Sequence, residues 1–392
     1  MAESVIHLAN GGLKVSPPLS LYIHLPWCVK KCPYCDFNSH AAHTLPEAAY
    51  IDALLLDLER ALPDIWGRRI HTVFFGGGTP SLFSADGIDR ILTGVRTLTP
   101  LMPNAEITLE ANPGTVEADR FAGFRAAGVT RVSLGIQSFN PRHLKALGRI
   151  HDDAEARRAA ELAATHFDTF NLDLMYALPD QTLAEALADI DTALTFQPPH
   201  LSAYHLTLEP NTPFGHTAPP NLPDDDLAAD MQQAIDTRLR DAGMQHYETS
   251  AYARPSHASR HNLNYWQFGD YLGIGAGAHS KLSFHDRIVR QMRVKHPQQY
   301  MDAVQTDAHV VDVRVLTRAD LPFEFMMNAL RLIECVHAAL FEERTGLPLI
   351  VCTAALERAR GQGLLERNAT RLRPTLPGQR FLNDLLALFL PD

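Results

Sequence analysis

Three cysteines crowd into eight residues of this chain. The segment YIHLPWCVKKCPYCDFNSH holds Cys28, Cys32 and Cys35 with three and then two residues between them, directly after a stretch that reads as a strand. Thiolates are soft ligands, selected by iron–sulfur clusters and by zinc. Three of them saturate three irons of a cubane and leave the fourth open, where the amino and carboxylate groups of a small molecule can chelate. Zinc is the competing reading. His24 or His40 would complete a three-cysteine, one-histidine site, although zinc sites more often show two separated ligand pairs. Pro33 stiffens the loop, and Lys30 and Lys31 offset the negative charge of the thiolates. The other two cysteines, Cys335 and Cys352, lie in apolar runs (RLIECVHAAL, PLIVCTAAL) and read as buried small hydrophobes. An odd total of five leaves no natural disulfide framework.

Further polar residues recur where strands end. FFGGGTPS carries Gly76, Gly77, Gly78 and Thr79. Glycines let a backbone approach a ligand closely, though the same string also makes a tight turn. TLEANPG ends on Glu110, LGIQSFN holds Gln137, LGRIH holds Arg149, and NLDLMYALPDQT holds Asp173. A carboxylate can accept a ribose hydroxyl or an amino group, and an Arg forks a carboxylate. Singly, each could be a cap or a salt bridge. Four on one rim are harder to explain as structure. A later segment, HNLNYWQFGDYLGIGAGAHS, begins at His261 and includes Asn262 and Tyr265. With 19 histidines in the chain, His261 read locally is a residue that hydrogen-bonds in a polar loop.

These residues need a frame. Strands are expected at Ser20–Leu25, Ile70–Phe75, Glu106–Ala111, Arg131–Ile136, Thr169–Met175 and Leu201–Leu206. Helical patterns lie near 47–62, 85–98, 116–127, 141–147, 153–166 and 182–196. In the first, Ile51, Leu54, Leu55, Leu58 and Leu62 recur at helical spacing. Alternating strand and helix implies parallel strands with right-handed crossovers. Six units are too few for a closed eight-stranded barrel, leaving a partial barrel or a doubly wound sheet. After Pro210 a Pro-rich connection precedes a helix near 225–242 and a short strand around Tyr247–Ala251. The sequence divides into a tail (1–17), the barrel (18–255), a connecting segment (256–310) and a small, mostly helical C-terminal domain (311–392).

Composition bounds the class. Of 392 residues, 46% are hydrophobic and 20% charged, ordinary values for a globular chain. The net charge of -10 argues against nucleic-acid binding, which depends on clustered Lys and Arg. The N-terminus lacks a basic start followed by an apolar core, so no signal peptide is expected. No apolar run approaches the roughly 18 residues of a membrane span. A reducing, cytoplasmic setting is expected. The tail from Phe381 reads as an amphipathic helix, which allows a homodimer. Contact with a membrane surface stays open.

CxxxCxxC after the first strand resembles the signature of the radical S-adenosylmethionine (SAM) superfamily, whose fold is a partial (β/α)6 barrel. YIHLPWCVKKCPYCDF, FFGGGTPSL, LGIQSFN and LDLMYALP resemble, in order, blocks of its oxygen-independent coproporphyrinogen III oxidase (HemN-like) family, over roughly residues 18 to 390. The resemblance implies a [4Fe-4S] cluster on Cys28, Cys32 and Cys35. It implies SAM binding by Tyr22, Tyr34, Gly77, Gly78, Thr79, Glu110, Gln137, Arg149 and Asp173. Within the family the chain is more similar to a haem chaperone branch than to the oxidase. The oxidase signature continues to a fourth cysteine where Phe37 stands here, and its N-terminal extension is longer. The His261-Asn262-x-x-Tyr265 piece resembles the motif associated with haem in that branch, with His24, His205 and His279 as rival ligands. The branch implies haem delivery to acceptors such as respiratory cytochromes. The alternative is radical decarboxylation of coproporphyrinogen III, an activity expected to be absent.

Overall fold

The computed structural model describes residues 12–13, 15–42, 44–115 and 118–391, so most of the 1–17 tail lies outside the described residues. Six parallel strands form its centre: β1 (Leu19–Leu25), β2 (Ile70–Gly77), β3 (Leu101–Ala111), β4 (Arg131–Gln137), β5 (Thr169–Tyr176) and β6 (His200–His205). They neighbour one another in chain order, each parallel to the next. A doubly wound sheet reverses its order at a switch point. This sheet does not, so the partial barrel is the architecture.

The crossover helices are α1 (Glu47–Ala61), α2 (Ala85–Leu98), α3 (Ala118–Ala127), α4 (Pro141–Ala146), α5 (Asp153–His166) and α6 (Leu183–Thr195). Local chemistry sets their starts. Asp152 with Glu155 and Thr182 with Glu185 form reciprocal capping boxes on α5 and α6. The faces bearing Ile51, Leu54 and Leu58 of α1 and Ile88, Ile91, Leu92 and Val95 of α2 are fully buried in one core with Leu21, Ile23, Val73 and Phe75 of the strands. Because side chains alternate across a strand, this packing sends the other set of strand residues into the lumen.

The sheet continues past both edges of this centre. A long helix, α7 (Asp225–Asp241), leads to β7 (Gln245–Glu248) and β8 (Ala251–Ala253), and β8 pairs antiparallel with β6. The single strand expected near Tyr247–Ala251 is therefore two strands split at Thr249 and Ser250. Helix α8 (Arg260–Trp266) follows. On the other edge β9 (Asp270–Ile274) lies parallel to β1, and β10 (His279–Ser283), β11 (Ile288–Arg293) and β12 (Val310–Val315) extend it antiparallel. These four strands were not foreseen. Their buried polar residues, such as Lys281 on Asp270 at 2.9 Å, blur the apolar alternation that marks a strand.

From Leu316 onward the chain is mostly helical, with one two-residue strand pair joining Val336–His337 to Arg371–Leu372. It has its own core around Phe325, Phe341, Leu356 and Leu385. Cys352 is buried there as expected. Cys335 is only half-buried, a correction to its reading as a core residue, because it sits in the turn before Val336 rather than on a packed face.

Candidate functional site in the barrel lumen

The Cys loop leaves β1 at the C-terminal end of the sheet, and the glycine loop leaves β2 beside it. Backbone bonds lock the two together: Gly78 N–H donates to Leu25 at 2.8 Å and Thr79 N–H to Trp27 at 2.7 Å. This closeness requires glycine. A Cβ on Gly78 would collide with the Trp27 backbone, and Gly77 adopts φ 116° against the His24 ring. Cys28, Cys32 and Cys35 face one cavity of about 430 Å3. Burial pushes the Cys28 and Cys35 thiols up. No group of three His, Cys, Asp or Glu side chains among the described residues is gathered to hold a single metal ion.

The histidines of the zinc alternative are occupied or turned elsewhere. His24 has Nε2 on the Asn38 carbonyl at 2.8 Å and Nδ1 on the Tyr22 hydroxyl at 3.1 Å. His40 packs edge-on against His296, 5.6 Å between ring centres. A cubane is larger than one zinc ion and needs three thiols on one open cavity with no fourth protein ligand. The donor set fits that group.

The rim residues converge on the same cavity. Gly77, Gly78, Thr79, Glu110, Gln137, Arg149, Asp173 and Tyr34 all line it. Arg149 Nη2 donates to the Gly135 carbonyl at 2.7 Å, while Nη1 lies 3.6 Å from Cys32 Sγ and 3.4 Å from the Tyr34 hydroxyl. It thus puts positive charge behind the loop. Gln137 has a left-handed φ of 68° at a register shift of β4, which re-aims its side chain. Glu110 accepts from Gly77 N–H at 3.3 Å, and burial, then the nearby Asp173, push its carboxyl up to about 8. Asp173 accepts from Ser133 and Asn171, both at 2.8 Å, and burial raises it too. Tyr22 lies against Gly76 below the rim, its phenol pushed far up by burial.

His261 and Tyr265 lie elsewhere. They belong to α8, which closes the opposite end of the barrel, where the strands begin. His261 is 1% exposed. Its Nδ1 meets Thr72 Oγ1 at 2.8 Å, its ring stacks on Phe74 at 4.9 Å, and Tyr265 stands edge-on at 5.1 Å. Thr72 donates its own proton to Ser20 at 2.7 Å. It therefore accepts from His261 Nδ1–H, and Nε2 is left a bare lone pair with no partner. Burial pushes the imidazole down to about 3, so it is neutral.

The sequence reading stopped at the strand ends and missed the lumen wall beneath. Arg131, Ser133, Asn171, His200, Ser202, Tyr204 and Asn262 line the cavity as well. A signal existed. Stepping back two residues at a time from Gln137 and Asp173 reaches Gly135, Ser133 and Arg131 on β4 and Asn171 on β5, an inward polar stripe of period two.

A family model of the radical SAM superfamily matches residues 22–193, and one of the HemN C-terminal domain matches residues 316–381. The chain is 51% identical to the heme chaperone HemW of Escherichia coli, over 96% of this chain and 99% of that one. It is 49% identical to the heme chaperone HemW of Haemophilus influenzae, with the same coverage. It is 36% identical to the mitochondrial radical S-adenosyl methionine domain-containing protein 1 of Mus musculus, over 95% and 87%. Among solved structures, coproporphyrinogen III oxidase (HemN) from Escherichia coli superposes with a TM-score of 0.82 at 23% identity, over 95% of this chain and 90% of that one, a likeness of fold.

Proposed function

The chain belongs to the HemW family within the radical SAM superfamily, and from that premise we propose a haem chaperone that carries a [4Fe-4S] cluster and SAM and passes haem to acceptor proteins. The observation that carries the cofactor half is the convergence of three thiols, the glycine loop and the Glu110–Gln137–Arg149–Asp173 rim on one cavity. When bound, the reduced cluster supplies an electron that breaks a carbon–sulfur bond of SAM. The protein's share is to hold and shield. Cys28, Cys32 and Cys35 hold three irons, and Arg149 backs Cys32 with positive charge. Burial pushes the Glu110 carboxyl up to about 8, and its Oε2 accepts from Gly77 N–H.

The haem half rests on the family and on His261, whose Nε2 lone pair is the chemistry a haem iron takes from a proximal histidine. That nitrogen is buried, so a haem reaches it only after a movement that uncovers the ring. His205 and His279 are exposed and need no such motion. Phe37, 60% exposed where the oxidase signature carries a cysteine, speaks against the oxidase activity. Acceptors such as respiratory cytochromes, a homodimer and a cytoplasmic location belong to the same proposal.

Anaerobically purified protein is expected to hold about four irons per chain. Cys28→Ala removes most of them and Cys335→Ala does not; a colourless, zinc-loaded protein rules the cluster out. Haem titration gives a Soret shift that His261→Ala weakens. An unaltered shift moves the ligand to another residue.

A further inference from the structure

Among the described residues, the buried cations differ in what they meet. Arg293, 1% exposed, pairs with Asp57 at 3.3 Å. Lys281, 1% exposed, pairs with Asp270 at 2.9 Å. Arg149 bonds the Gly135 carbonyl beside Cys32. Arg131, 3% exposed, is different. Among the described residues its guanidinium makes no hydrogen bond and no carboxylate reaches ion-pair distance of it; Glu110 and Asp173 feel its charge only from farther off. It lines the lumen cavity from the first residue of β4, six residues below Gln137 and two below Ser133, the strand partner of Glu110.

The surroundings of Arg131 are also short of partners. Across the strand pairing it faces Thr108, whose buried Oγ1 makes no hydrogen bond among the described residues. Asn262 of α8 lines the same cavity, and its carboxamide makes no hydrogen bond among the described residues. The nearby acceptors are spent: Asn171 Oδ1 on His200 at 2.6 Å and Ser202 at 3.1 Å, and Glu106 on the backbone N–H groups of Arg260 and His261. What remains at the floor, among the described residues, is a set of donors with one positive charge and no carboxylate within ion-pair reach.

We propose that this floor is a carboxylate subsite, in which Arg131 forks a monoanionic carboxyl group of a molecule lying in the lumen and Asn262 donates to a remaining lone pair. Fork-on-carboxylate pairing is the strong geometry for a guanidinium out of water. The carboxylate class follows from charge and shape: one planar cation faces one negative charge, and its two parallel N–H groups match the two oxygens of a carboxylate. Two sources offer the same group, a small free acid or a carboxylate arm of a porphyrin. The subsite stands on the geometry alone; only its porphyrin source rests on the haem reading above.

The test is thermal unfolding of the full-length protein in sodium propionate and in sodium chloride of equal ionic strength. Wild type is expected to unfold several degrees higher in propionate, Arg131→Met to show no difference between the salts, and Arg131→Lys to keep part of it. A wild type indifferent to propionate, or an Arg131→Met protein that responds as fully as wild type, overturns the subsite. The wild-type arm decides even if a variant does not fold. A second arm identifies the source by titrating haem and haem dimethyl ester. If Arg131→Met weakens haem about tenfold and leaves the ester unchanged, the occupant is the porphyrin arm. If haem is unaffected while propionate still stabilises, the occupant is a small acid.

Discussion

Glu110 and Asp173 face each other's field inside a lumen, and the consequence is measurable in stability. The Glu110 carboxyl titrates at about 8 in the folded protein against 4.5 for an ordinary glutamate. Between those values the unfolded chain has released the proton and the folded chain has not. The folded state then binds more protons, so stability falls as pH rises. This contribution is whole below 4.5 and is lost by about pH 8. Glu110→Gln removes the titration. The melting temperature of the variant is expected to gain on wild type from about pH 5 to about pH 8.5, and parallel curves would mean that Glu110 ionises normally. The residue scale also explains what was legible. Cysteine and glycine spacing is a local signal, so Cys28, Cys32, Cys35 and the Gly76–Gly78 run stood out. Arg131 did not, because nothing in RVSLGIQ says that its partner is missing.

At the scale of elements, α8 is the piece that turns an open barrel into a closed-bottomed one. Its seven residues are far too few to hold a helix in isolation. Ser259 caps it from within, accepting from Asn262 N–H at 3.3 Å. Glu106 of β3 caps it from the barrel, accepting from Arg260 N–H at 3.2 Å and His261 N–H at 3.0 Å. Glu106→Ala strands both donors and is expected to cost about 1–3 kcal/mol. The readout is a lower urea midpoint with an unchanged slope; an unshifted midpoint would show that Ser259 suffices. The sequence showed neither the helix nor its anchor, since HNLNYW carries no helical apolar period and the glutamate that caps it lies more than 150 residues upstream.

At the scale of the molecule, two cores are tied to one sheet. Asp57 on α1 is the knot between the barrel and the strands added to its edge. It accepts from Tyr300 at 2.8 Å and Gly275 N–H at 3.1 Å, and lies near Arg293 at 3.3 Å and His309 at 3.1 Å. Burial alone would raise its carboxyl, but Arg293, His309 and Tyr300 together hold it below the usual range. Asp57→Ala leaves Arg293 buried and uncompensated, so a loss of about 3–5 kcal/mol is expected in chemical denaturation; a loss under about 1 kcal/mol would mean that water replaces the carboxylate. The C-terminal helices join at the opposite edge, where Ile333 N–H donates to Tyr247 and Thr249 N–H to Arg331, both at 3.1 Å.

The sequence by itself determined the parts whose information is local. The cysteine spacing, the glycine loop and six strand–helix units are each written within a few residues, because thiol chemistry, backbone freedom and helical period act at short range. The tertiary structure alone decided the rest. Strand order separated a partial barrel from a doubly wound sheet, since both share the same alternation. Closure of the floor put His261 out of solvent. Convergence of β3, β4 and β5 raised Glu110 and left Arg131 without a carboxylate at ion-pair distance among the described residues. Burial and pairing depend on which distant residues share a cavity, and no window of the chain contains both members of those pairs.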